Sequence, residues 1–370
     1  MLESLEGGGA QRRMVDLANG FVALGRQVDL LVARPDGKLR ARIARSIKIV
    51  ALDHDQPAIG LSDYLDRADP DALVAGAASV HALAVKGIRR SARRVALVLR
   101  ASSHPYRYIP WTLPRPRLIE YVRRRLRIGR YAVADLIIAV SSDIERTLRT
   151  ALPDARIVTI QSPVLTEDFL AGAEAQIDWP WKDGADVPTI VSVGRFAMAK
   201  DFPTLLRAFA LLRRQQEARL VIIGDGSARE RSALANLAGR LGIAGDVAFP
   251  GESDIVAAWL RRADLFVSSS LWEGSAGALV EALAMGCPVV ATSSVGSARD
   301  LLEDGGIGRL VPPRDPRRMA RAMIEELRTR RDSDLLKAAV APYSSEGRAA
   351  DYLAAIDGCV ADVAAYMDGK

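Results

Sequence analysis

The stretch DLFVSSSLWEGSAGALVEALAMGCPVVATS, residues 264–293, carries the fold in miniature. A β-branched apolar run (264–270) gives way to a loop of small residues. The loop turns into an apolar helix pattern near Gly277, and a second apolar run (287–293) follows. Two strands joined through a helix are the unit of a parallel sheet. Within the unit stand two carboxylates, Glu273 in the loop and Glu281 about one turn into the helix. The glycines would weaken a plain core helix and the acids would need partners. Both features therefore call for a ligand.

Working outward, the same alternation fills the chain. Runs at 189–194, 219–226, 246–251 and 308–313 flank the quoted unit, each followed by a helix pattern. Earlier runs at 28–33, 47–52, 95–99, 135–141 and 156–162 form a first series. Met14, Leu17, Ala18, Phe21 and Leu24 fall at intervals of three and four, which predicts a helix over 10–25. The stretch 171–188 has neither period and contains Pro180 and Pro188, so it reads as a linker. The expectation is an α/β protein of two doubly wound, Rossmann-like domains facing a central cleft. The first spans 1–172, a linker 173–188 and the second 189–344. A helix over 345–370 is expected to pack back on the first domain. Only a short Glu/Gly-rich segment precedes the helix near Ala10, so the first strand is expected to be missing or truncated.

The chain has 370 residues, too many for one ordinary core, and 51 Lys+Arg against 45 Asp+Glu give a net charge of +6. Two cysteines and three histidines without ligand spacing argue against a disulfide framework or a catalytic zinc. No run is long enough to span a membrane, and the first residues do not form a signal peptide, so a cytoplasmic location is expected. Aromatics are only 5%, which argues against a single-stranded nucleic-acid binder.

The chemistry-bearing residues follow predicted strands, where open parallel sheets bind ligands. In VGRFAMAKDF (193–202), Arg195 and Lys200 suit a diphosphate. In IIGDGSARE (222–230), Gly224 and Gly226 make a tight turn, but Arg229 stands where a dinucleotide fingerprint needs its third glycine. The amides of Ser275, Ala276 and Gly277 lie at a helix start, where partial positive charge attracts oxygens. Glu273 can accept from hydroxyls and Glu281 from a ribose diol. Each stretch also has a plainer reading as a solvated loop or a helix-end charge.

Taken together, EGSAGALVEALAMGCPVVAT, VGRFAMAKDF, GDGSARERSALANLAGRLGI, VAFPGE and GGGAQRRMVDLANGFVALG resemble the retaining GT-B glycosyltransferases of the family-4 kind. The resemblance spans nearly the whole chain and is densest over 189–313. It implies that Glu281 binds ribose and that Glu273, with the amides of Ser275 to Gly277, holds the donor sugar. It implies that Arg195 and Lys200 hold the diphosphate, and that Gly8 and Gly9 close near it. Pro250 and Gly251 would lie at the nucleobase, with Gly226 also on the donor side. His104 is the candidate first-domain histidine against the sugar.

The donor implied is a UDP- or GDP-sugar, and the acceptor a glycan or lipid-linked glycan. Transfer retains the anomeric configuration and uses neither metal nor cofactor. The alternatives are another GT-B sugar-nucleotide enzyme of the epimerase type, or a non-catalytic nucleotide-binding protein. A run of arginines at Arg115, Arg117, Arg123, Arg124, Arg125, Arg127 and Arg130 faces the single acid Glu120. It reads either as the solvated face of a surface helix or as a patch that docks on an anionic membrane.

Overall fold

The computed structural model describes residues 1–52, 55–104, 125–181, 186–294, 296–302 and 305–368. The chain divides into two compact units, Met1–Pro163 with Ser345–Lys370, and Val164–Ser344.

In the first unit, β1 (Leu2–Ser4), β2 (Asp29–Arg34) and β3 (Lys48–Ala51) form one parallel ladder in the order β1-β2-β3. A second ladder comprises β4 (Ala72–Ala75), β5 (Ala96–Ala101), β6 (Leu136–Ala139) and β7 (Ile157–Thr159). Two bonds join them: the Met1 nitrogen donates to the Val74 carbonyl at 2.8 Å, and the Gly76 amide to the Met1 carbonyl at 3.2 Å. β1 and β4 therefore lie side by side, and the order reverses between them.

The first strand, expected to be missing or truncated, is present and short. β1 is three residues long, and Met1, Leu2 and Leu5 are buried. A strand this short is anchored by neighbours on both sides and leaves no period to read. β4 was likewise absent from the expected strands, because Ala72–Ala75 is a four-residue run bounded by Asp71 and Gly76.

The helix Gly9–Ala23 buries Met14, Leu17, Ala18 and Phe21, but Leu24 is exposed just past its end. The C-terminal helix Ser345–Asp368 packs against it in the same unit. A Cβ at Gly20 would stand 2.6 Å from that of Ala349, so the two backbones approach as closely as a glycine permits. Fully buried Tyr352 accepts from Arg100 Nε at 2.9 Å and donates to the Ile160 carbonyl at 3.3 Å.

The second unit is a six-stranded parallel sheet, ordered β10-β9-β8-β11-β12-β13. Its strands are β8 (Thr189–Val193), β9 (Arg219–Ile223), β10 (Val247–Gly251), β11 (Leu265–Ser268), β12 (Val289–Thr292) and β13 (Arg309–Val311). The central four carry buried Val, Ile, Leu and Phe on both faces, as a sheet covered by helices requires. Because β9 and β11 flank β8 on opposite sides, the order reverses between β8 and β11.

The boundary falls at Pro163 rather than at residue 172. The amides of Val164 and Leu165 both donate to the Tyr343 carbonyl, which ties this segment to the second unit. The expected linker is held there too. Trp179 stacks on Trp259 at 5.5 Å with Arg262 over its ring, and Trp181 donates to the Gly245 carbonyl beneath Arg219. Missing periodicity marked irregular backbone correctly, but tryptophans can fasten irregular backbone to a domain.

Candidate active site

In a doubly wound sheet the strand order reverses at one point, and the loops that leave the strand ends there part to open a crevice. In the second unit those loops follow β8 and β11, and they carry Arg195, Lys200 and Glu273. Lys200 Nζ donates to Glu273 Oε1 at 2.8 Å, with side-chain exposures of 25% and 11%. The same oxygen accepts from Ser270 Oγ at 2.5 Å and faces Ser268 Oγ at 3.3 Å. The loops are also tied to each other, since the Leu271 amide donates to Ala199 O at 2.7 Å and the Ser269 hydroxyl to Lys200 O at 2.6 Å. A lysine and a glutamate far apart in sequence thus form one polar centre. Arg195, in the same loop, is exposed and forms no ion pair among the described residues.

The helix Gly277–Ala284 begins at Ala276 with no side-chain cap and no acid in its first turn. Of the three amides expected to face a ligand, that of Ala276 already donates to Ser297 Oγ at 2.7 Å. Those of Ser275 and Gly277 have no acceptor among the described residues. The next helix start on the β9 side differs. Ser227 caps Ala228–Arg240 in a reciprocal box with Glu230, whose carboxylate accepts from the Ser227 amide at 2.8 Å. That box satisfies the Ser227 and Glu230 amides and sets a carboxylate at this end, whereas the helix start beyond β11 has neither cap nor acid. Glu281 is buried in the Gly277–Ala284 helix, 6% exposed.

Gly224, Gly226 and Gly251 gather at the ends of β9 and β10. The Gly224 amide donates to Gly251 O at 2.8 Å, and a Cβ at Gly224 would fall 2.1 Å from Gly194 O. Only glycine fits there, at φ +132°. Gly226 lies against Phe196 and Glu230, and Pro250 is exposed. Arg231 lies over the Phe196 ring at 5.6 Å, pairs with Asp225 at 2.9 Å and donates to Phe249 O.

In the first unit, Gly8 caps the helix Gly9–Ala23 at φ 112°, directly after β1, at that sheet's own reversal. His104 lies after β5, its Nε2 3.1 Å from Thr147 Oγ1 and 3.9 Å from Asp143 Oδ2. Beside the same strand ends Arg100, 1% exposed, reaches Gly76 O at 3.4 Å and Ser162 Oγ at 2.5 Å. Of the arginine run, Arg115, Arg117, Arg123 and Arg124, with Glu120, lie outside the described residues.

Sequence reasoning missed Ser268, Ser270 and Ser297, which position Glu273 and the helix start, and Thr147 and Asp143 beside His104. The triple serine 268–270 at a strand end was the available signal. Among the described residues, no three His, Cys, Asp or Glu side chains converge as metal ligands, and no helix is long and apolar enough to cross a membrane.

Two parallel Rossmann-like units, the second with a cation–carboxylate centre at its reversal, define a protein of GT-B fold. Comparison with known proteins agrees. Residues 7–168 match the model of Glycosyltransferase Family 4, and 187–329 match that of Glycosyl transferases group 1. The chain belongs to the group 1 glycosyltransferases. It is 37% identical over 158 residues to the lipopolysaccharide core biosynthesis glycosyltransferase LpsE of Rhizobium meliloti, covering 43% of this chain and 44% of LpsE. The match thus spans less than half of that relative. Two solved structures share the fold: sucrose-phosphate synthase of Thermosynechococcus elongatus and Anabaena HepE in complex with UDP-glucose. The first has a TM-score of 0.75 at 19% identity, covering 100% of this chain and 96% of that one. The second has 0.68 at 18%, covering 100% and 99%.

Proposed function

We propose that the protein is a retaining, metal-independent glycosyltransferase of the hexosyltransferase type. It moves a sugar from a UDP- or GDP-sugar to a glycan or lipid-linked acceptor, in the synthesis of cell-surface polysaccharide or glycolipid. The observation that carries this reading is the Lys200–Glu273 pair at the β8/β11 reversal, beside exposed Arg195 and an uncapped helix start. The pair exchanges partners when donor binds. Glu273 takes sugar hydroxyls in place of the ammonium, and Lys200 turns to the diphosphate beside Arg195. The amides of Ser275 and Gly277 add fixed dipoles, so charge on the leaving group is stabilised without reorganisation. Glu281 accepts from the ribose diol, the Pro250–Gly251 backbone meets the base, and Gly226 lies beside the donor.

In the chemical step the bond from the anomeric carbon to the phosphate oxygen breaks. The acceptor oxygen bonds to that carbon on the same face, and its proton passes to the departing diphosphate. Gly8 and Gly9, at a helix start, close on the diphosphate, and His104 meets the sugar. The name of LpsE supports a polysaccharide acceptor, and UDP-glucose bound to HepE supports the donor class. We place the enzyme in the cytoplasm, with the 115–130 arginine run against an anionic membrane.

The test is calorimetry with UDP-, GDP- and ADP-sugars, followed by product analysis with the one that binds. Binding of a UDP- or GDP-sugar, with α-anomeric product from an α-donor, is expected. Binding of none of them would overturn the reading.

A further inference from the structure

Ser268 ends β11, and Ser269 and Ser270 continue beyond it; in extended backbone every second side chain shares a face. Ser268 and Ser270 therefore stand together, with Oγ atoms 3.2 Å apart, while Ser269 on the other face donates to Lys200 O. Each serine hydroxyl has a single proton to give. That of Ser268 goes to Ser270 Oγ and that of Ser270 to Glu273 Oε1 at 2.5 Å, a relay that ends on the carboxylate. The relay is held from outside. Ser270 is 1% exposed, and its carbonyl accepts from Thr292 Oγ1 at 2.5 Å. Gly296 lies against the backbone of Glu273, where a Cβ would come within 2.5 Å of the Glu273 carbonyl oxygen.

All of these donors fall on one carboxylate oxygen. Lys200 Nζ and Ser270 Oγ fill the two lone-pair positions of Oε1, and Oε2 accepts from no donor among the described residues. One oxygen is thus spent on the protein and the other is kept for a ligand, on a side chain 11% exposed. The last torsion of a glutamate is soft, so a carboxylate with no fixed partner turns about it. Once Lys200 moves to the diphosphate, the Ser270 hydroxyl is what blocks that turn. We propose that Ser270 is a positioning residue for the donor sugar: it holds Oε1 and keeps Oε2 aimed at the sugar hydroxyls after Lys200 has left. The assignment rests on the reading of Glu273 as the carboxylate that holds the donor sugar. It makes that role depend on a side chain that touches no ligand.

The experiment is calorimetry on the full chain with the UDP- or GDP-sugar that wild type binds, and with UDP or GDP alone. Ser270→Ala is expected to bind the sugar nucleotide about tenfold more weakly, the loss of one hydrogen bond to a charged acceptor. It is expected to bind the free nucleotide as wild type does, because with no sugar to displace it Lys200 stays on Glu273. Ser270→Thr keeps the hydroxyl and is expected to restore the affinity. Ser268→Ala, one step back along the relay, is expected to show a smaller loss, again for the sugar nucleotide alone. Ser192→Ala removes a hydroxyl that is equally buried but bonded to Val267 O at 2.6 Å, and is expected to bind both ligands as wild type does. A urea midpoint on each variant separates loss of folding from loss of binding, and if Ser270→Ala does not fold, Ser268→Ala decides. Unchanged affinity of Ser270→Ala for the sugar nucleotide would overturn the assignment. Equal weakening for the sugar nucleotide and the free nucleotide, as a distorted loop would give, would overturn it too. A wild type that binds no sugar nucleotide would overturn the donor reading itself, and the assignment with it.

Discussion

Lys200 and Glu273 satisfy each other at 2.8 Å, and in the proposed reading a donor replaces both halves of that contact. Removing one half leaves the other partly buried with no counter-charge. Lys200→Ala is therefore expected to lower kcat by about a hundredfold or more, with a smaller change in donor affinity, since charge on the diphosphate grows toward the transition state. Arg195→Ala acts from an exposed position and is expected to follow the same pattern more weakly. Steady-state kinetics on both variants checks this, and an effect confined to KM would contradict it. Glu281→Ala is expected to weaken nucleotide binding by roughly ten- to a hundredfold, the loss of one charged hydrogen-bond acceptor. Calorimetry with the free nucleotide reads this directly, and unchanged affinity would remove Glu281 from the site.

Elements set where those side chains stand, and two are sensitive to small changes. The helices Gly9–Ala23 and Ser345–Asp368 touch at Gly20, where any added Cβ meets Ala349. Gly20→Val is expected to cost about 1–3 kcal/mol by overpacking, visible as a lower urea midpoint. An unchanged midpoint would mean that the two helices are not packed so closely. The helix Ala78–Arg90 buries His81 edge-on to Tyr131, with ring centroids 5.2 Å apart. Burial pushes the imidazole down to about 4, while backbone carbonyls of Ala75 and Arg100 oppose the shift.

An unfolded histidine titrates near 6.5. Between those values the unfolded chain binds a proton that the folded one refuses, so stability falls as pH drops from about 6.5 to about 4. The loss is about 3 kcal/mol for a shift of this size. His81→Phe is expected to flatten that part of the stability profile. Parallel profiles for wild type and variant would show that the imidazole is not buried neutral.

At the scale of the whole molecule, the loops that carry the candidate site of the second unit were legible because they begin where strand periodicity ends. Arg195, Lys200 and Glu273 each follow a strand with a run of three buried β-branched or apolar residues, Thr189–Val191 in β8 and Leu265–Val267 in β11, and the run locates the loop. That Lys200 and Glu273 touch was not legible, because it depends on β11 lying beside β8 rather than beside β10. In the first unit β1 and β4 are too short to carry a period, so the strand reversal beside Gly8 was hidden. Trp179 and Trp181 show why the domain boundary was misplaced: irregular sequence says nothing about which core will hold it. Arg100 and His81 were unreadable for a related reason, since burial of a polar side chain depends on partners from distant strands.

The account as a whole rests on charge in the second unit, from Lys200, Arg195 and helix-end amides, standing in for a divalent cation. The most direct measurement is the rate of sugar transfer from the donor that binds, for wild type and Lys200→Ala, with excess EDTA and then with added Mn²⁺. The account predicts a wild-type rate nearly unchanged by EDTA, and a Lys200→Ala rate that stays low whatever metal is present. A wild-type rate abolished by EDTA and restored by Mn²⁺, with Lys200→Ala as active as wild type, would contradict it.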